Sequence, residues 1–207
     1  MLSQEVTSVL TDSDFNHKLS ELKDGFFIQI GANDGVSYDP IHKSVVEYGL
    51  SGILVEPGIE AFNALKINYQ NCSNLFFENC AIAKHNGKVN LYCGTTTPHF
   101  TLDKNKAIHM FDVEPTVSIV DSMTIGSLVS KYNPSRIDLL QIDAEGLDYV
   151  IIEDFDFNLY TPSIVRFERV CMDSTLLENC LNKLKRYNYV FYNSEDNSDI
   201  IAILHNQ

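Results

Sequence analysis

The chain has no apolar run approaching the roughly 20 residues that a membrane-spanning helix needs. Its first residues, Met1-Leu2-Ser3-Gln4-Glu5, lack the basic start and apolar stretch of a signal peptide. The cysteines Cys72, Cys80, Cys93, Cys171 and Cys180 are odd in number and form no C-x-x-C pair. This argues against a disulfide framework and for small core residues in a reduced, cytoplasmic setting. Positive charge is scarce: 15 Lys and Arg face 28 Asp and Glu, for a net charge of −13. The nearest approach to a basic stripe, Lys183-Leu184-Lys185-Arg186, falls late in a predicted helix, where cations suit the dipole. A nucleic acid would be repelled at long range, so neither nucleic acid nor a membrane is expected as partner. A neutral or cationic small molecule fits this balance better.

What is present is alternation of strand and helix signals along 207 residues, enough for one full-sized domain. Residues 1–25 read as a helical preface, with Ser13 or Asp14 as cap and Gly25 as stop. Residues 26–207 read as a single domain. Its predicted strands are 26–30, 52–56, 75–83, 88–93, 117–123, 137–142 and 164–168, and 190–193 and 200–204 close it as a hairpin. Predicted helices begin near Pro40, Ile59, Thr124 and Gly146 and after Asp173. Between Gly94 and Pro115 the regular pattern stops, and a structureless stretch of that length, 94–116, reads as a substrate loop. Alternating units of this kind imply an α/β fold with a mainly parallel sheet and helices on both faces.

Three strand ends carry the chemistry. Phe26-Phe27-Ile28-Gln29-Ile30 runs into Gly31-Ala32-Asn33-Asp34-Gly35; a second strand stops at Glu56-Pro57; a third delivers Asp143-Ala144-Glu145-Gly146. In open α/β sheets, ligands bind at the C-terminal ends of the strands. A dinucleotide fingerprint would need G-x-G-x-x-G, and here the third glycine is missing, while Asn33 and Asp34 stand where diphosphate charge would lie. An aminoacyl group and a sulfonium tolerate such neighbours, and Glu56 is placed to accept ribose hydroxyls. The cofactor these residues predict is S-adenosylmethionine.

At these same residues the chain resembles the FkbM family of methyltransferases. The matching pieces are Ile30–Gly35, Val55-Glu56-Pro57-Gly58 with Phe62-Asn63-Ala64-Leu65, Asn79-Cys80-Ala81-Ile82-Ala83, and Leu140-Gln141-Ile142-Asp143-Ala144-Glu145-Gly146. Met123-Thr124-Ile125-Gly126-Ser127-Leu128 departs from the T-L-D-D-L-like helix start common in the family. The resemblance covers residues 26–170. It implies a class I, Rossmann-like methyltransferase fold with a seven-stranded sheet, and most often O-methylation of a sugar or natural product. Carried over, it puts Gly31, Asn33, Asp34 and Gly35 at the aminoacyl end of the cofactor and Glu56 and Pro57 at the ribose. Asn79, Cys80 and Ala81 fall near adenine, and Asp143 near the methyl donor.

Methyl transfer to a hydroxyl needs alignment and a base. Asp143, Glu145 and Glu168 end neighbouring predicted strands and are candidates to take the proton; the bland reading is that Asp143 or Glu145 caps the following helix. The same carboxylates could hold Mg²⁺, which is not favoured because no dedicated ligand cluster is visible. His99, in the irregular segment, is the other candidate base. Tyr38, His42, Thr96, His99 and His109 are candidates to contact a hydroxylated small-molecule acceptor. Competing readings are a non-catalytic cofactor-binding module of the same fold and a nicotinamide-dependent oxidoreductase.

Overall fold

The computed structural model describes residues 6, 8–94, 100–110 and 114–205. Strand β1 (Phe26–Ile30) lies at the centre of a seven-stranded sheet. On one side are β2 (Ser51–Val55) and β3 (Leu75–Glu78); on the other, in order, β8 (Leu139–Ile142), β9 (Ile164–Glu168), β11 (Asp199–Leu204) and β10 (Tyr189–Asn193). Only β11 runs against the rest, paired antiparallel with both β9 and β10. A second sheet, ordered β4-β7-β5-β6, comprises β4 (Ala81–Ile82), β5 (Gly87–Cys93), β6 (Phe100–Thr101) and β7 (Thr116–Met123).

The strands of the large sheet are apolar in both directions because helices cover both faces. Ile28, Ile53, Leu140 and Val165 pack with α5 (Ile125–Tyr132), α6 (Asp148–Asp154) and α7 (Ser174–Lys185). Phe27, Leu54, Leu139 and Ile164 point the other way, to α1 (Asp12–Ser20), α2 (His42–Tyr48) and α3 (Ile59–Asn68). Side-chain oxygens set several helix starts: Thr124 accepts from Ser127 N–H at 3.0 Å, and Asp173 accepts from Thr175 and Leu176 N–H at 2.8 and 2.9 Å. Gly49, at φ 65°, ends α2 in the left-handed region.

Three local expectations change. Helix α1 is capped by Thr11, whose hydroxyl accepts from Asp14 N–H at 3.1 Å, and not by Ser13 or Asp14. It ends at Ser20, several residues before Gly25. The predicted strand 75–83 is two strands: the chain leaves the large sheet at Asn79-Cys80 and β4 joins the second one. The break falls at the polar pair Glu78-Asn79, between two apolar runs that read together as one strand. The segment predicted as structureless also contains β6 and the helix α4 (Lys104–Met110). Asp103 starts that helix by accepting from the N–H groups of Asn105 and Lys106 at 2.8 and 3.2 Å, and Ala107 anchors it, fully buried.

Candidate functional site

Strand order reverses direction between β1 and β8, and a cleft of about 220 Å³ opens at their C-terminal ends. Its floor is the turn after β1. Gly31, at φ 77°, comes so close to β8 that a Cβ there would stand 1.8 Å from the Asp143 carbonyl oxygen. Only glycine fits both the angle and the approach. Asn33 follows at φ 48°, and its N–H donates to Glu56 Oε2 at 2.9 Å. The other Glu56 oxygen accepts from Gly58 N–H at 2.6 Å. Burial pushes the Glu56 carboxyl up to about 7, against the pull of these two N–H groups. Each carboxylate oxygen keeps a second acceptor direction.

Cys80, Ala81, Ile82 and Leu91 form one wall, and Phe100, Thr101 and Leu102 of the irregular segment form another. Burial raises the Cys80 thiol to about 12, so it is a neutral wall residue. Opposite Glu56 the carboxylates gather. Asp143, Glu145 and Glu168 all line the cleft, and ligand atoms of Glu145, Glu168 and Cys171 lie within 4.8 Å of one another. Asp143 keeps accessible surface within the cleft, yet protein surrounds it on most sides. That low-dielectric setting, then the charges of Asp148, Glu168 and Glu145, push its carboxyl well above the usual range. Glu168 is raised too, by burial first.

Sequence reasoning missed the residue that builds this edge. Asp148 is fully buried and accepts from the N–H groups of Ala144 and Gly146, both at 3.3 Å, and of Glu168 at 3.1 Å. It thereby ties the turn after β8 to the end of β9. Between its two turn contacts, Glu145 is held at φ 49°, a conformation a non-glycine residue adopts only under constraint. Also missed were Gln29 and Gln141, side by side on β1 and β8 and each 3% exposed. Both line the cleft, and neither Oε1 has a hydrogen-bond partner among the described residues. The half-buried Asp39 also lines the cleft. A glutamine inside an apolar strand run was the available signal.

Several predicted site residues stand elsewhere. Asp34 turns back on its own loop, accepting from Val36 N–H, Ser37 N–H and Ser37 Oγ at 2.9, 2.7 and 2.7 Å. Gly35 packs against Leu65 and Tyr69. Asn79 donates to the carbonyls of Glu56 and Pro57 at 2.9 and 3.2 Å, so it fixes the Glu56-Pro57 turn from outside the cleft. His42 opens α2 with its ring 4.9 Å from that of Tyr69, away from the cleft. Tyr38 stands at the rim, 98% exposed. Pro57 lines the cleft. Thr96, His99 and the side chain of His109 lie outside the described residues.

The family model described as "Methyltransferase FkbM domain" matches residues 29–191. No curated protein sequence matches. Among solved structures, the methyltransferase FkbM from Methylobacillus flagellatus KT is similar at 12% identity and a TM-score of 0.53 over 95% of this chain. The chain spans 45% of that protein's length. The METTL16 methyltransferase domain is similar at 14% identity and a TM-score of 0.53, over 94% of this chain and 68% of its own. An O-methyltransferase from Bacillus cereus, solved with S-adenosylhomocysteine, gives 9% identity and a TM-score of 0.50 over 94% and 80%. At these identities the likeness is one of fold. Among the described residues, no helix is long and apolar enough to cross a membrane.

Proposed function

The chain belongs to the FkbM methyltransferase family, and from that premise we propose that it uses S-adenosylmethionine to methylate a hydroxyl of a small acceptor, a sugar or glycosylated metabolite. The observation that carries this reading is the pairing, across one cleft at the β1/β8 reversal, of the Gly31–Asn33–Glu56 turn with the Asp143–Glu145–Glu168 carboxylates.

The residues present fit the cofactor. An aminoacyl ammonium brings donors and no acceptor, which suits the orphaned oxygens of Gln29 and Gln141 beside Asp39. A diphosphate brings only acceptors and would leave the orphaned oxygens of Gln29 and Gln141 without a donor, which disfavours a nicotinamide dinucleotide. Glu56 would take the ribose hydroxyls on its free lone pairs. When bound, the cofactor supplies a methyl group activated by a positive sulfur. The chain's own tasks are then to hold the acceptor in line and receive its proton. Asp143 and Glu168 are the candidate bases: their raised carboxyls hold a proton more readily near neutrality than ordinary ones. The net charge of −13 suits a neutral acceptor better than an anionic one.

Calorimetric titration with S-adenosylmethionine and NAD tests the first step, and S-adenosylhomocysteine release across a panel of hydroxylated saccharides tests the second. Binding of NAD in place of S-adenosylmethionine would refute the cofactor. Binding without turnover on every acceptor would favour a non-catalytic module.

A further inference from the structure

Helix α4 puts one cation at the carboxylate edge. The Lys106 ammonium is buried, and it lies so close to Gly146 that a Cβ on that glycine would stand 2.5 Å from Nζ. Gly146, at φ 96°, therefore serves twice: it allows the turn and leaves room for the ammonium. No single hydrogen bond of good geometry holds Nζ among the described residues. Its charge acts instead on Glu168 and on Cys171, lowering both against their burial. Cys171 Sγ in turn donates to Glu145 Oε2 at 3.7 Å. One turn before α4, Thr101 Oγ1 donates to the Glu145 carbonyl at 3.1 Å, so the segment is docked on this edge at two points.

Two carboxylates and a thiol with ligand atoms this close form a donor set for a divalent ion. An unaccompanied cluster of that kind is repulsive, and the protein meets the repulsion with its own side chain. We propose that Lys106 is a positioning residue that serves as the built-in cation of the acceptor end, offsetting the negative charge of the Glu168 edge and taking the role a divalent metal would otherwise fill. Metal need not enter while α4 is docked, because an incoming dication would be repelled by an ammonium buried at the same edge. The role toward an acceptor rests on the methyltransferase reading of the cleft, but charge replacement does not, and the two are measured separately.

The test is a Co²⁺ titration of the full chain by calorimetry and absorption, with S-adenosylmethionine titrated in parallel. Lys106→Met is expected to bind Co²⁺ at least about tenfold more tightly than the native chain, since one repelling charge is gone. It should also show a sulfur-to-cobalt band that is lost with Cys171→Ser in the same background. Lys106→Arg, which keeps the charge, should behave as the native chain does. If Lys106→Met fails to fold, Lys106→Gln takes its place. Equal Co²⁺ affinity in the native and Lys106→Met chains would overturn the proposal. So would tight binding by the native chain that Glu168→Gln removes, because the edge would then be a metal centre in its own right. Loss of S-adenosylmethionine binding in the native chain would sink the methyltransferase reading and leave the cobalt result standing.

Discussion

Glu56 gives the sharpest quantitative test. Its carboxyl is held at about 7 by burial, with one N–H on each oxygen. A ribose would add hydroxyl donors that favour the ionised form, so binding should expel the proton. The free protein is then half competent at pH 7 and about one-hundredth competent at pH 5, and cofactor affinity should fall roughly a hundredfold between pH 8 and pH 5. Stability of the free protein runs the opposite way. A carboxyl raised in the folded state favours folding below its unfolded value near 4.5, and that contribution is lost as pH rises to about 7. Calorimetry at several pH values, in buffers of different ionisation enthalpy, counts the protons released. The difference between the native chain and a folded Glu56→Gln isolates this group from other titrating carboxyls. Glu56→Gln should show a flatter profile and, above pH 8, at least about tenfold weaker binding, since a hydrogen bond to a charged group is worth about 1.5–3 kcal/mol. Identical pH profiles for the two proteins would refute the assignment of Glu56 to the ribose.

Gly31→Val should abolish cofactor binding and destabilise the chain by more than about 1–3 kcal/mol, because the new Cβ meets the Asp143 carbonyl and φ is 77°; a normal melting temperature and affinity would count against the described turn. Asp143→Asn or Glu168→Gln should lower turnover by roughly 10²–10⁴ if that residue is the base, and single-turnover rates unchanged in both would move the search to the histidines. Asp148, fully buried with its carboxyl raised to about 7, should make the native chain less stable as pH rises from about 4 to 7. Urea midpoints of Asp148→Asn should lack that component; a slope unchanged by the substitution would contradict it.

The strand ends were legible because their signals are local. An apolar run followed by a glycine, or by Glu-Pro, marks a strand end whatever lies around it. The mainly parallel sheet with its closing hairpin follows from alternation, whereas the count of seven strands rested on the family resemblance and the second sheet was not read. What stayed hidden depends on where side chains turn after the backbone is placed. Asp34 and Asp143 look equivalent as acidic residues beside a strand end, yet Asp34 satisfies its own loop and Asp143 faces the cleft. Asn79 matches a family motif but works on the turn from outside the cleft. Asp148 reads as an ordinary first-turn acid of a helix, and only three converging N–H groups reveal that it shapes the edge. Lys106 was hidden for a further reason: its helix depends on an Asp103 cap and one buried alanine, too little for a periodic signal.

The second sheet has a consequence for how such a protein can diversify. The chain enters it through β4 and leaves it through β7 into α5, while β5, β6 and α4 form an excursion between those two points. Phe100, Thr101 and Leu102 are the parts of that excursion after β5 that line the cleft. Lengthening such a connection is cheap, about 0.6 kcal/mol per doubling, and none of the seven principal strands must shift to allow it. Gly31, Asn33 and Glu56 lie on separate connections, fixed by β1 and β2. Drift in what the cleft admits can therefore proceed by replacing one excursion, with the Gly31–Glu56 side inherited unaltered.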